Sequence, residues 1–314
     1  MEFRTPVPVS PCPEKISHNT PVLMLGSCFS DHMGGRMTNE RFKVLANPFG
    51  VIYNPFSIAL LLKRSLDDNP LQEDELFEEG DVFKSFLFHS SFAAQSASEL
   101  QNKANEALRR TSAYIKQASF LILTFGTARY YRHNAGGNIV ANCHKQPPSV
   151  FTGALASPDE CFAEIKAVID TLRAVNPGLF IIFTISPVRY MKDGNPGAQQ
   201  DKAVLFVALE QWLKLPRTWY FPAYEILIDE LRDYRFYAGD MVHPSAVAAD
   251  YIYEKFAEAC YTGETAGLAR RIGKLMQAKT HRPLFPESHS YKDFLKKTEE
   301  ELNLLKQQYP FIDF

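Results

Sequence analysis

Two short segments carry groups able to do nucleophilic chemistry. Ser27 stands in the turn Gly26-Ser27-Cys28, directly after the apolar run Pro21 to Leu25. Far downstream, Asp240 and His243 fall in the segment Asp240-Met241-Val242-His243-Pro244, just before a stretch of helical period, Ser245 to Tyr261. That spacing puts a carboxylate and an imidazole on one turn. The carboxylate can fix the ring tautomer through Nδ1 and leave Nε2 facing outward, which is what a general base for a serine hydroxyl requires. Each piece also has a plainer use. A serine in such a turn caps the helix that follows, and an Asp and a His before a helix serve as caps as well. What favours chemistry is the combination, in the order Ser, Asp, His, at matching ends of elements that the rest of the chain predicts.

Those elements follow a repeated order, a short apolar run and then a stretch of helical period. The runs are Pro21–Leu25, Phe42–Ala46, Phe120–Phe125, Leu179–Ile185 and Trp219–Phe221. The helical stretches are Phe29–Glu40, Ser57–Arg64, Ser96–Gln117, Pro158–Val175 and Ala198–Lys214. Continuous apolar runs suit strands buried on both faces, and helical crossovers make such strands parallel. The pattern predicts an α/β fold, a three-layer αβα sandwich around a mainly parallel, flavodoxin-like sheet. In such a sheet ligands bind at the carboxyl ends of the strands. Ser27, Gly50, Gly126, Thr127 and Ser186 each follow a strand and should gather at that edge. A turn-rich segment, Asn134 to Asn138, between Ala128–Tyr131 and Ile139–Cys143, predicts a β-hairpin insertion. After a Pro-rich break at His281–Pro286, Tyr291–Gln308 reads as a helix that either packs on the domain or makes a dimer contact. The expected division is an α/β domain over residues 1–280 and a helical extension over 281–314.

Composition narrows the functional classes. The chain has 314 residues, with 34 basic and 36 acidic side chains and a formal net charge of −2. Near-neutral charge argues against nucleic acid or an anionic membrane surface as the main partner. No run approaches the roughly 18 apolar residues of a membrane span. The first fifteen residues hold no apolar core of a signal peptide, and the five cysteines show no close pairing, so a reducing cytoplasm is expected. The eight histidines include no HxxxH spacing, and no CxxC is present, so no metal and no cofactor are expected. Cys28, beside Ser27, reads as a small buried filler. His89 is either a hydrogen-bonded, half-buried histidine or a substrate contact. Asn142, His144 and Lys145 are either a polar rim or a solvated loop. Arg189, Lys192 and Asp193 belong either to a mobile loop over the site, Lys192 to Gly197, or to a surface excursion. The 24 Phe and 14 Tyr divide between strand core and a set at the active edge: Phe29, Phe49, Tyr53, Phe88, Phe92, Tyr130, Tyr131 and Tyr190.

The segment Gly26-Ser27-Cys28-Phe29-Ser30 resembles the signature of the GSCFA family, a group placed in the SGNH/GDSL hydrolase superfamily, with Ser30 where that signature has Ala. Further segments resemble the family over roughly residues 20 to 260: Asn47–Pro55, Thr124–Thr127, Ala141–Lys145, Ser186–Arg189, Tyr224–Ile226, Asp229–Tyr237 and Asp240–Ser245. The resemblance implies Ser27 as nucleophile, His243 as base and Asp240 as its orienting acid. It further implies the backbone N–H groups of Ser27 and Gly50 as oxyanion donors. Superfamily members carry Gly-x-Asn-Asp in their third block, whereas this chain has Gly126-Thr127-Ala128-Arg129. Ala128 thus replaces an oxyanion-binding asparagine, a loss worth on the order of 3 kcal/mol of transition-state stabilisation. Asn47, Asn54, His89, Thr127, Asn142, His144 and Arg189 are the candidate substitutes or substrate contacts. The implied activity is hydrolysis of an ester, an O-acyl group on a carbohydrate or another polar molecule, through an acyl-enzyme on Ser27. The neighbouring readings are an O-acyltransferase using the same acyl-enzyme and a non-catalytic glycan-binding relative. A homo-oligomer is compatible with either.

Overall fold

The computed structural model describes residues 4–281 and 283–314. In chain order the strands are β1 (Val22–Gly26), β2 (Val44–Ala46), β3 (Phe77–Glu79), β4 (Val82–Lys84), β5 (Phe120–Phe125), β6 (Arg129–His133), β7 (Ile139–Val140), β8 (Phe151–Leu155), β9 (Phe180–Ile185) and β10 (Thr218–Phe221). The helices are α1 (Cys28–Asn39), α2 (Pro55–Leu66), α3 (Ala97–Ile115), α4 (Pro158–Val175), α5 (Gly194–Trp212), α6 (Ala223–Glu225), α7 (Ala246–Cys260), α8 (Gly263–Thr280) and α9 (His289–Gln308).

Five strands form the central sheet in the order β10-β9-β5-β1-β2, and every pair is parallel. The apolar runs divide by parity, because successive side chains of a strand point to opposite faces. Leu23, Leu25, Leu121, Leu123, Ile181 and Phe183 join one core with residues of α2, α3, α4 and α5, while Val22, Met24, Phe120, Ile122, Phe180 and Ile182 join the other with residues of α1 and α7. Helices therefore cover both faces, as expected. Stacking of Phe183 on Trp212, with ring centroids 5.3 Å apart, anchors α5 to β9.

Decorations stand off this frame. The segment after β5 builds a separate three-stranded antiparallel sheet in the order β7-β6-β8. Its third strand, β8, has too weak an apolar alternation to be legible beforehand. α8, also unforeseen, pairs with α9 through a small core of Ile272, Leu275, Leu305 and Ile312. The expected mobile loop, Lys192 to Gly197, is instead largely the first turn of α5. Arg129 Nε fixes it, lying 3.0 Å from Asp193 Oδ2. Among the described residues no helix is long and apolar enough to cross a membrane.

Candidate active site

The winding of the sheet reverses between β1 and β5: β2 is added to one side of β1, and β5, β9 and β10 to the other. A crevice opens at the carboxyl ends where such a sheet switches direction. Ser27 lies there. Gly26 ends β1 at φ +150°, and a Cβ on it would come within 2.3 Å of the Thr124 carbonyl oxygen, so the strand can turn this close to β5 only with glycine. Ser27 then takes the N-cap position of α1, where its Oγ accepts from Phe29 N–H at 3.3 Å. The plainer use of this serine is thus fulfilled, but its hydroxyl also donates to Ser186 Oγ, 2.9 Å away at the end of β9. Ser186 Oγ further accepts from Val188 N–H at 3.2 Å. Sequence placed Ser186 at this edge without a role.

Asp240 and His243 meet as their spacing predicts. Asp240 Oδ2 lies 2.6 Å from His243 Nδ1, and Oδ1 accepts from the N–H groups of His243 (2.9 Å) and Val242 (3.0 Å). These bonds, the backbone N–H of His243 foremost, hold the Asp240 carboxyl down at about 2. Burial first, then Asp31 and more weakly Asp240, push the Cys28 thiol up, which puts the turn within electrostatic reach of the head of α1. Such a thiol stays protonated, and Cys28 is half-buried rather than the buried filler expected. Among the described residues, however, no hydrogen bond joins Ser27 Oγ to His243. The serine proton goes to Ser186, and the imidazole, with 47% of its side chain exposed, sits on the surface turn.

The expected oxyanion donors are engaged elsewhere. Ser27 N–H donates to the Thr124 carbonyl at 3.2 Å, and Gly50 N–H to that of Asn47 at 2.8 Å. Gly50 is needed for another reason: it sits at φ +76°, and a Cβ there would meet His89 Cβ at 2.3 Å. Gly126 N–H donates to Tyr53 O at 2.7 Å. Ala128, at the missing asparagine's position, is fully buried in the sheet core. Cys28 N–H, in the first turn of α1, donates to no main-chain carbonyl outside the helix among the described residues and meets its own thiol.

Most of the candidate substitutes prove structural. Asn47 clamps the Ser27 turn through Gly26 N–H (2.8 Å) and Asp31 Oδ1 (2.6 Å). Asn54 caps α2 through Ser57. His144 is buried, with Nε2 on Ser85 O at 2.8 Å, and desolvation lowers its pKa. Thr127 is buried, its Oγ1 accepting from Arg129 N–H. Asn142 spends its side-chain oxygen on His144 N–H. His89 packs over Gly50 and pairs through Nδ1 with Ser91. Arg189 is half-buried and makes no hydrogen bond or ion pair among the described residues.

The aromatic set also divides. Phe29, Phe49, Phe88 and Phe92 belong to the cores. Tyr53 and Tyr190 face each other at 5.9 Å beside the crevice, and Lys192 Nζ lies 4.1 Å from the centre of the Tyr131 ring. Burial, then the hydrogen bond with Tyr131, raise the Tyr190 hydroxyl's pKa, so it stays protonated and can donate. No group of three or more His, Cys, Asp or Glu among the described residues is placed to hold a metal ion.

A comparison with curated proteins returned no match. The family model described as GSCFA family matches residues 21–256, which include Ser27, Ser186, Asp240 and His243. A second model, the C-terminal domain of GSCFA domain proteins, matches residues 272–314, a span that begins inside α8. The chain belongs to the GSCFA family.

Proposed function

We propose that this protein is a serine-dependent acyl hydrolase of the SGNH type, acting on an O-acyl ester of a carbohydrate or another polar molecule. The observation that carries the reading is a serine hydroxyl at a helix head in the switch-point crevice, together with an imidazole oriented by a carboxylate whose charge reaches the neighbouring Cys28 thiol. Ser27 Oγ attacks the acyl carbonyl as its proton passes to His243 Nε2. The tetrahedral oxyanion then collapses, and the leaving alkoxide takes that proton. Water, deprotonated by His243, attacks the acyl-Ser27 ester and releases the acid. Cys28 N–H and the positive end of the α1 dipole meet the oxyanion in place of the donors that the backbone has already used. Catalytic contacts are often loose without substrate, and here the His243 turn must close on Ser27 as substrate displaces its bond to Ser186.

The test uses p-nitrophenyl acetate and a fluorophosphonate probe. Wild type is expected to turn over the ester and to be labelled on Ser27, and Ser27→Ala to lose both. Activity retained in Ser27→Ala would sink the reading. Supplying a sugar hydroxyl during turnover separates hydrolysis from acyl transfer, since a transferase forms the sugar ester instead of free acid. A second reading, a non-catalytic glycan-binding protein, is favoured by the absent Ser27–His243 bond and the engaged N–H groups. It predicts glycan affinity with no labelling of Ser27.

A further inference from the structure

α5 carries a lysine on its buried face. Lys202 lies in the apolar stripe of Ala198, Leu205, Leu209 and Trp212, and is 2% exposed. Its Nζ donates to three main-chain carbonyls, Gly126 O at 2.8 Å, Ser186 O at 2.8 Å and Val188 O at 3.0 Å. An ammonium group has three protons to give, and these carbonyls take all of them. The site of this contact is specific. β5 and β9 run in register to Phe125 and Ile185, and Ser186 N–H makes the last bond between them, to Phe125 O at 2.8 Å. There the ladder ends, and Lys202 joins the carbonyls just past it. One of the three belongs to Ser186, whose Oγ accepts the hydroxyl proton of Ser27.

We propose that Lys202 is a positioning residue for Ser27: by gathering the carbonyls of Gly126, Ser186 and Val188 it fixes the main chain of Ser186, and with it the hydroxyl that orients the nucleophile. The kinetic half of this proposal rests on the acyl-hydrolase reading, and the structural half does not. The charged and titratable groups around the ammonium are Asp201 on α5, itself paired with Arg129 from β6, Arg189 beyond β9, and the Tyr224 ring 5.4 Å away. Just past β5 the backbone carbonyl of Gly126 meets it. Burial pushes the ammonium down to about 7, opposed by the Asp201 carboxylate. A neutral amine has two protons for three carbonyls, so the clamp weakens as pH rises through neutrality.

The experiment compares full-length wild type, Lys202→Met and Lys202→Arg from pH 6 to 9 by two readouts. One is amide exchange of peptides covering residues 184–190, corrected for the intrinsic pH dependence of exchange. The other is the rate at which the fluorophosphonate labels Ser27. Wild type is expected to lose protection and to label more slowly at the alkaline end. Lys202→Met should exchange at least tenfold faster over these residues and label at least tenfold more slowly, with no alkaline fall. Lys202→Arg, whose charge persists over this range, should lack the alkaline loss of protection. A folded Lys202→Met within twofold of wild type in both readouts overturns the proposal. If that variant does not fold, corrected exchange in wild type that is flat from pH 6 to 9 overturns it. Wild type that is never labelled refutes the hydrolase reading instead, and exchange alone then decides the clamp.

Discussion

Asn47 brackets Ser27 from the neighbouring strand. Its Oδ1 accepts from Gly26 N–H at 2.8 Å, just before the serine, and its Nδ2 lies 3.5 Å from the serine's own carbonyl and 2.6 Å from Asp31 Oδ1. One amide thus ties the end of β1, the head of α1 and the loop after β2. It does so from a left-handed backbone, φ +40°, that asparagine tolerates better than most residues.

Asn47→Ala should destabilise the protein by about 1–3 kcal/mol, since it leaves the buried Gly26 N–H without an acceptor. Asn47→Asp keeps that acceptor but sets a second carboxylate against Asp31. It should be most destabilised near pH 7 and recover toward pH 4 as one of the pair takes a proton. Urea unfolding at both pH values checks this, and an Asp variant whose loss is independent of pH would show that Asp31 is not its partner.

Asp240 sets the acid behaviour of the base turn. Its carboxyl is held at about 2, below the ordinary carboxylate range, by His243 N–H first and Val242 N–H second. A depressed carboxyl adds stability that is present above its unfolded value and is lost as pH falls through the folded one. The turn's contribution should therefore be complete above about pH 4 and fade between there and about pH 2. It follows that activity lost between pH 7 and 4 does not come from Asp240. Asp240→Asn keeps an oxygen for the turn but loses the anion that orients the imidazole, and should lower kcat on p-nitrophenyl acetate by about 10²–10⁴-fold. An unchanged kcat would remove Asp240 from the mechanism.

The fold was legible where one physical signal dominates. Phe120–Leu123 and Phe180–Phe183 are apolar without interruption because helices cover both faces of the sheet, and a proline sets the N-terminus of α4 at the expected residue. The strand β8, Phe151–Leu155, is half-exposed and carries no such signal. At the site, the pairing of Asp240 with His243 is a local matter of spacing and could be read. The fate of the Ser27 and Gly50 N–H groups could not, since it depends on carbonyls brought in by the turns. Lys202 left one trace, a cation inside the apolar stripe of α5, which a helix-face count detects but residue type alone assigns to solvent.

Arg129 anchors the segment expected to be mobile. Its Nε lies 3.0 Å from Asp193 Oδ2 and 3.3 Å from Asp201 Oδ1, and the Asp201 side chain is 1% exposed. Burial raises the Asp201 carboxyl, with Arg129 among the groups opposing the rise. Arg129→Met strands that carboxylate and should cost about 3–5 kcal/mol near neutral pH. The sign is that of a raised carboxyl: the folded state holds its proton longer than the unfolded chain, so stability falls as pH rises through the folded value. The gap between variant and wild type should accordingly narrow toward pH 4. Equal gaps at pH 4 and pH 8 in urea melts would mean that Asp201 is not the group left behind.

Arg189 offers the crevice a cation with no partner among the described residues. It follows Val188, whose N–H binds Ser186 Oγ, and its charge reaches both Lys202 and the Tyr224 hydroxyl. A half-buried guanidinium placed there favours a substrate that carries a carboxylate or another strong acceptor, through charge-assisted hydrogen bonds. Two esters with the same acyl group test this: 4-acetoxybenzoate, whose leaving group is anionic, and p-nitrophenyl acetate, whose ester is neutral. Arg189→Met should raise KM for the anionic ester by about 10–100-fold, the loss of one to two such bonds, with kcat changed far less. The kcat/KM ratio of the anionic to the neutral ester should fall by a similar factor. A ratio unchanged by the substitution would show that Arg189 meets no anion, and a fall in kcat alone would place it with the groups that act on the transition state.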